Sequence, residues 1–322
     1  MHFKQLNTLE ENLQKSGNNG EYEFKRFSIP IKNETLALNG IFIKPKNRSK
    51  YFFDIAHPKK RIVLHFTAGQ LRSDLQALTG HDRHVSVAFV IGRNGIIYQL
   101  FSSKLWSGHI GKGIGNTGTG NAQDKMTIGI ELSNYGYLTK KDENLETYYS
   151  RQKDDRGHTG PVDIYCSLAD VAAYKKLNKS FRGQSYYSTF TDRQYDSLVI
   201  LLRYLTAQYD IPRQFLQDPL RYQAGDHVLQ FRGIVSHVNY RVDGKWDIGP
   251  AFEWEKVISG VKAPAYTPLF EGIEIVSTER GISRSAESVA NSEDQLDNFL
   301  PEPIDPAHED EPYEEAQPML AD

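Results

Sequence analysis

Residues 233–254, GIVSHVNYRVDGKWDIGPAFEW, hold the polar side chains on which the predicted fold centres. His237 comes first, Lys245 and Asp247 follow with one residue between them, and a Gly-Pro turn and an aromatic run close the stretch. Zinc accepts both imidazole and carboxylate ligands. The stretch therefore supplies two candidate metal ligands, His237 and Asp247.

A third candidate ligand, His65, ends the apolar part of the run RIVLHF (residues 61–66). A short apolar run without alternation is typical of a strand covered on both faces, and open sheets commonly place functional groups at the carboxyl ends of such strands. Each residue alone would more often be a core histidine or a turn residue. Because three protein ligands and an open position are the usual form of a catalytic zinc site, His65, His237 and Asp247 together predict one.

Two further residues are candidate catalytic groups. Lys245 and Asp247 are two residues apart, so in an extended segment they face the same side, and a lysine there can stabilise a developing oxyanion. Glu131 is a carboxylate inside the apolar run TIGIEL, and buried glutamates are rare unless they have a partner. It can pass a proton from water to a leaving amine. The alternative for Lys245 is a solvated surface lysine, and the alternative for Glu131 is an edge-strand glutamate that faces solvent.

The remaining candidates are weaker. His109 lies in the glycine-rich stretch WSGHIGKGIGNTGTGN, where it either binds substrate or is simply exposed. Cys166 is the only cysteine, which excludes an intramolecular disulfide and a multi-cysteine metal site. The net charge of −3 gives no reason to expect nucleic acid or an anionic membrane as a partner.

Local patterns predict several elements. Asn94-Gly95 is a favoured pair for a tight turn and predicts a hairpin over residues 85–100, and Asn39-Gly40 suggests a second hairpin turn. Ser73 is the predicted N-cap of a short helix. Thr191 and Gln194 form a capping-box pair that opens a longer helix. The apolar face of that helix comprises Tyr195, Leu198, Val199, Leu202 and Leu205.

With these segments in view, the chain resembles the zinc-dependent N-acetylmuramoyl-L-alanine amidases, the type that includes phage lysozyme-like amidases and peptidoglycan recognition proteins. The resemblance covers roughly residues 60–136 and 190–257. It implies an α/β fold with a central mixed β-sheet flanked by helices. The segments that carry the resemblance, in the order of the family, are IVLHFTAG, HVSVAFVIGRNGIIYQL, TIGIELSNYG, TDRQYDSLVILLRYLTAQYDIP and GIVSHVNYRVDGKWDIGPAFEW.

The resemblance also implies a domain organisation and a site. Residues 21–265 form the amidase domain, with a long insertion at about 137–190. Residues 1–20 are expected to be a loose N-terminal arm, and residues 266–322 an acidic, disordered tail, since no Lys or Arg follows Arg284 and such a segment cannot bury enough apolar surface to order itself. One catalytic Zn²⁺ ion is bound by His65, His237 and Asp247, with Glu131 and Lys245 in the catalytic positions.

The implied reaction is hydrolysis of the amide bond between the lactyl group of N-acetylmuramic acid and L-alanine, in peptidoglycan or muropeptides. The alternatives are a non-catalytic peptidoglycan-binding module of the same fold, whose relatives typically lack a metal ligand, and a zinc peptidase. The N-terminus has no apolar signal region and no run reaches membrane-span length. This predicts synthesis in the cytosol, with action there or on the cell wall after non-classical delivery. A delivery machine or an immunity partner is not identified.

Overall fold

Two β-sheets organise the described part of the chain, one mixed and seven-stranded, the other antiparallel and five-stranded. The computed structural model describes residues 2–47, 50–80, 84–116, 121–154 and 156–270. The strands are β1 (Tyr22–Pro30), β2 (Ala37–Pro45), β3 (Arg61–Phe66), β4 (Phe89–Ile91), β5 (Ile97–Gln99), β6 (Thr127–Leu132), β7 (Tyr137–Lys141), β8 (Asn144–Glu146), β9 (Ile164–Ser167), β10 (Tyr174–Phe181), β11 (Gln184–Ser188) and β12 (Gly233–Ser236). The α-helices are α1 (Leu6–Gly20), α2 (Leu71–Thr79), α3 (Ala122–Lys125), α4 (Asp192–Gln208), α5 (His227–Gln230) and α6 (Trp254–Lys262).

The larger sheet has the strand order β1-β2-β5-β4-β6-β3-β12. Its centre is parallel, because β3 lies between β6 and β12 and runs in the same direction as both. Ile62, Val63 and Leu64 of β3 are fully buried, as expected for a strand covered on both faces. The predicted α/β fold with a central mixed sheet flanked by helices is confirmed.

Helix α4 covers the larger sheet and packs against β2, β4 and α6. The predicted capping box is present: the Thr191 hydroxyl accepts the N–H of Gln194 at 3.1 Å, and the Gln194 side chain accepts the N–H of Thr191 at 3.1 Å. All five residues of the predicted apolar face are buried. No helix in the part of the chain that the structure describes is long and apolar enough to cross a bilayer.

Two local predictions are wrong and one is confirmed. Strands β4 and β5 form the expected hairpin. Gly40, however, lies inside β2 opposite Phe27, and a Cβ there would come within 2.7 Å of the Phe27 ring. The missing side chain of Gly40 therefore leaves space for the Phe27 ring, and Gly40 does not form a turn. Helix α2 begins at Leu71 with Gln70 in the N-cap position, and Ser73 instead donates its hydroxyl to the Gln70 carbonyl from within the first turn.

The expectation of a loose N-terminal arm is also wrong, because most of this segment is helix α1. Leu6 and Leu13 are buried and lie on one face of the helix with Glu10. The Glu10 carboxylate accepts the backbone N–H groups of Arg93 and Asn94 in the β4–β5 turn, each at 2.8 Å. Two buried leucines and one buried carboxylate therefore attach α1 to the rest of the fold, although most of its residues are polar.

The insertion at residues 137–190 was predicted as an insertion or an elaborated loop, and it folds into strands β7 to β11. This second sheet, the insertion sheet, has a small core of its own that includes Leu138, Leu145, Tyr165 and Cys166. Its strands are short and use tyrosine in place of aliphatic residues, which is why they show little periodicity in the sequence. Burial raises the pKa of the Cys166 thiol to about 12, which leaves it protonated and unsuited to be a nucleophile.

The compact region extends a few residues beyond the predicted boundary at 265. The backbone N–H groups of Leu269 and Phe270 donate to the carboxylate of Asp196 in α4, at 2.9 and 3.2 Å. The predicted disordered tail falls mainly on residues 271–322, which lie outside the described residues.

Candidate metal centre and active site

The parallel centre of the larger sheet brings three predicted site residues to one edge. His65 in β3 and Glu131 in β6 are register partners. Ser236 in β12 is the register partner of Leu64, so His237 follows directly beside His65. The carboxyl ends of neighbouring parallel strands meet at one edge of a sheet, where α/β proteins place their ligands. The topology therefore assembles a site from residues far apart in the chain.

His65, His237 and Asp247, here called the His-His-Asp cluster, are buried and close together. The Nδ1 atoms of the two histidines are 3.0 Å apart. Asp247 Oδ2 lies 3.1 Å from Nδ1 of His65 and 2.9 Å from Nδ1 of His237. A tetrahedral zinc ion with bonds of about 2.0–2.1 Å places its ligand atoms about 3.3 Å apart. The three ligand atoms are thus spaced nearly as such an ion requires.

The orientation of His237 follows from its outer nitrogen. Nε2 lies 2.8 Å from the carbonyl oxygen of Ile110. A carbonyl oxygen only accepts hydrogen bonds, so Nε2 of His237 carries a proton. Nδ1 faces Asp247 and His65.

The orientation of His65 follows from a longer chain of hydrogen bonds. The Thr127 hydroxyl donates to the Gln123 carbonyl at 2.7 Å, so it accepts from Nε2 of His109, which is 2.9 Å away. Nδ1 of His109 is then an acceptor, and His65 donates to it from Nε2 across 3.0 Å. The proton of His65 is therefore on Nε2 and the lone pair of Nδ1 faces the cluster.

His109 was predicted either to bind substrate or to be exposed. Its side chain is only 4% exposed, and its two ring nitrogens are engaged by His65 and Thr127. Burial, followed by the neighbouring His65, lowers its pKa well below the usual value. The ring is therefore not exposed, and its hydrogen bond holds Nε2 of His65 in place; substrate binding by His109 stays a prediction.

The charge states in the cluster fit a metal ion. Burial, and then His237, lowers the pKa of His65 to about 4, which keeps the ring neutral. Burial alone would raise the pKa of Asp247, but His237 and His65 outweigh it and hold that pKa well below its usual range. Nδ1 of each ring and Oδ2 of Asp247 face one another at 2.9–3.1 Å. A cation such as zinc satisfies all three groups.

Glu131 lies beside the cluster with its carboxyl group incompletely bonded. Its Oε2 atom is buried and has no hydrogen-bond partner within the described residues. Burial, followed by the charges of Asp247 and Asp74, raises its pKa well above the usual value. An unpaired, raised-pKa carboxyl beside a candidate metal site is characteristic of a proton-transfer group.

Lys245 lies in an irregular loop, residues 241–250, rather than in the predicted extended segment. Its charge lowers the pKa of both Glu131 and His65, so it acts on the same site. Trp246, between Lys245 and Asp247, donates its indole N–H to the Arg182 carbonyl at 3.0 Å.

Two buried carboxyls near the site were not found from the sequence. Asp124 Oδ1 accepts the backbone N–H groups of His109 and Ile110, at 2.8 and 2.9 Å, and these residues hold the outer nitrogens of the two histidines. Asp74 accepts the hydroxyls of Thr67 and Ser133. In sequence, both aspartates look like ordinary helix-surface acids, and no local signal marks them.

Comparison with known proteins identifies the family of this chain. A family model described as N-acetylmuramoyl-L-alanine amidase matches residues 56–250, more than half of the chain. The chain belongs to this family. Membership supports a hydrolase of the amidase class with peptidoglycan as its substrate. A comparison with curated proteins gives no match.

Several solved amidase structures are similar to this chain at low identity. The N-acetylmuramoyl-L-alanine amidase LysC from Clostridium intestinale URNW is 13% identical with a TM-score of 0.34, and the match covers 67% of this chain and 93% of LysC. AmiD from E. coli, solved with the substrate anhydro-N-acetylmuramic acid-L-Ala-D-gamma-Glu-L-Lys, is 18% identical with a TM-score of 0.38, over 72% of this chain and 65% of AmiD. The family assignment rests on the family model alone.

Proposed function

We propose that this chain is a zinc-dependent amidase that hydrolyses the amide bond between the lactyl group of N-acetylmuramic acid and L-alanine. Family membership supports the class of bond. The observation that carries the metal dependence is the convergence of two imidazole Nδ1 atoms and one carboxylate within 3.1 Å of one another. An incompletely bonded carboxyl group lies beside them.

Nδ1 of His65, Nδ1 of His237 and the carboxylate of Asp247 would hold the zinc ion. When bound, the ion supplies Lewis acidity, which makes water a nucleophile at neutral pH and polarises the scissile carbonyl group. Three protein ligands leave a position for water and substrate, as in other catalytic zinc sites. His109 and the Ile110 carbonyl keep both rings in the binding orientation.

Glu131 moves the proton in this proposal. Its unpaired oxygen accepts a proton from the attacking water, and its raised pKa favours the protonated form that results. The carboxyl group can then return that proton to the departing nitrogen of L-alanine. One group therefore acts first as base and then as acid.

Lys245 stabilises the oxyanion that develops on the lactyl carbonyl during attack. The influence of its charge on Glu131 and His65 supports this role. Electrostatic groups that are held in place before the reaction are often the largest single contribution to such catalysis.

The test is digestion of purified sacculi and of soluble anhydro-muropeptides by the full chain, with and without a zinc chelator, followed by mass spectrometry. We expect free stem peptides that begin with L-alanine, glycan strands of unchanged length, and no product when the chelator is present. Cleavage of sacculi indicates action on the wall, whereas cleavage of soluble fragments alone indicates muropeptide recycling. His237→Ala is the inactive control.

Three results would contradict the proposal. If a chelator does not affect product formation, the reaction does not depend on a metal ion. Binding to muropeptide without zinc or turnover favours the non-catalytic module. Cleavage of peptides that lack a muramoyl group, at rates equal to those on muropeptide, favours a general peptidase.

A further inference from the structure

The loop of residues 241–250 carries two of the proposed active residues, Lys245 and Asp247, but it contains no helix or strand of its own. Residues 242–244 at its tip are exposed. A metal ligand and an oxyanion group must nevertheless be held within about half an ångström to work. Other parts of the chain must therefore hold this loop in place.

Arg182 of the insertion sheet makes such a connection. One guanidinium nitrogen donates to the Lys245 carbonyl at 2.5 Å. A second nitrogen donates to the carbonyls of Val238 and Arg241, at 3.2 and 2.7 Å. Val238 follows His237 directly, so one side chain joins the backbone next to a metal ligand to the backbone of the lysine loop.

The backbone of Arg182 indicates that this side chain is there for a tertiary contact. Arg182 and Gly183 form the two-residue turn between β10 and β11, and both have positive φ, +49° and +81°. Asn, Asp and Gly are the residues that such turns favour, and a non-glycine residue with positive φ is uncommon. Arginine is not among the residues that such a turn favours. Its hydrogen bonds to three carbonyls explain why it stands at this position.

The same hairpin tip contacts the loop through its aromatic neighbours. The Tyr137 and Trp246 rings have centroids 4.6 Å apart, and Trp246 also donates to the Arg182 carbonyl. Phe181 covers Gly249, where a Cβ would come within 2.8 Å of its ring. Contacts therefore reach the loop on both sides of Asp247.

From these contacts we propose that the insertion sheet is a brace for the catalytic loop and that Arg182 is its positioning residue. Within the described residues, the guanidinium hydrogen bonds of Arg182 go to backbone carbonyls, and the positioning role requires no contact with substrate. Its guanidinium group sets the positions of Lys245 and Asp247 relative to His237. This role rests on the proposed zinc amidase function and adds to it a purpose for the insertion.

The most informative variant is Arg182→Asn. Asparagine suits a turn with positive φ, so the hairpin is retained while the guanidinium fork is lost. Lys179→Ala, an exposed change in the same strand β10, is the matched control. Arg182→Lys keeps the charge but lacks the planar fork and is a second route if Arg182→Asn does not fold.

The first readout is hydrogen–deuterium exchange of the metal-free full chain, which needs neither zinc nor turnover. We expect faster exchange at residues 238–249 in Arg182→Asn and unchanged exchange in α4. The second readout is kinetic: because misplacement by about 1 Å can cost roughly 100-fold, kcat should fall about 10- to 100-fold with KM within about twofold. Lys179→Ala should match wild type in both.

The brace is overturned if Arg182→Asn leaves the exchange at residues 238–249 unchanged, or if exchange is faster but kcat is unchanged. Either result leaves the amidase activity of the wild-type chain unaffected. If the wild-type chain neither binds zinc nor has amidase activity, the proposed function itself is wrong. That result does not depend on the variants. A rise in KM with unchanged kcat assigns Arg182 to substrate binding and also overturns the positioning role.

Discussion

Nε2 of His65 lies 3.0 Å from Nδ1 of His109, and this contact determines which nitrogen of His65 faces His237 and Asp247. The chain of donors continues through Thr127 and ends at the Gln123 carbonyl. Because each donor in this series has one acceptor, the Gln123 carbonyl sets the tautomer of His65 through Thr127 and His109.

Thr127→Val tests this chain of hydrogen bonds. The change removes the hydroxyl that accepts from His109 and conserves the shape, so His65 loses its preferred tautomer. Loss of such an outer partner typically weakens metal binding about 10- to 100-fold. We expect that loss in a competition titration against a chromogenic zinc chelator, with the exposed Thr139→Val as control. Equal zinc affinities in the two variants would remove the orienting role.

Glu131→Gln tests the proton-transfer group. The amide is close in shape to the carboxyl group but cannot take a proton from water, so we expect kcat to fall about 10²- to 10⁴-fold. Zinc content, measured by atomic absorption, should remain at the wild-type level because Glu131 is not in the His-His-Asp cluster. Wild-type kcat in a zinc-loaded Glu131→Gln protein would assign proton transfer to another group.

Lys245→Ala tests the oxyanion group. Loss of one oxyanion contact commonly costs about 100-fold or more in kcat, and we expect this loss with zinc still bound. Lys60→Ala, an exposed lysine just before β3, is the matched control for a change in net charge. Near wild-type turnover in Lys245→Ala would refute the role.

Asp74→Asn tests a buried carboxyl group. Burial raises the pKa of Asp74 to about 7, above its value of about 3.9 in the unfolded chain. Between these values the folded chain retains a proton that the unfolded chain has lost. The free energy of unfolding therefore falls as pH rises, by up to about 1.4 kcal/mol per pH unit from this group, and levels off above about pH 7.

The asparagine variant should lack this dependence. The Thr67 and Ser133 hydroxyls both donate to Oδ2 of Asp74, and an amide oxygen can replace it. In urea titrations of metal-free protein we expect Asp74→Asn to gain stability relative to wild type between pH 5 and pH 8. Asp142→Asn, at an exposed position, serves as control. A difference between Asp74→Asn and wild type that does not change with pH would contradict the raised pKa.

Local features were predictable where neighbours in sequence decide them. The capping box at Thr191 and Gln194 involves residues three apart, and the hairpin at Asn94-Gly95 depends on one tight turn. Both are confirmed. The errors have the same origin. Gly40 looks like a turn residue until Phe27 is placed over it, and α1 looks loose until its carboxylate meets a turn 83 residues away.

By itself, the sequence determined the types of the predicted ligands, the family segments and their order, and the strand that ends near His65. Only the tertiary structure decided that Nδ1 of both histidines lies close to Asp247, that His109 lies behind His65, and that Arg182 donates to carbonyls of the loop of residues 241–250. The physical reason is range. Periodicity and turn chemistry act over a few residues, whereas the contact between His65 and His237 joins residues 172 apart and exists only once the parallel strands have packed.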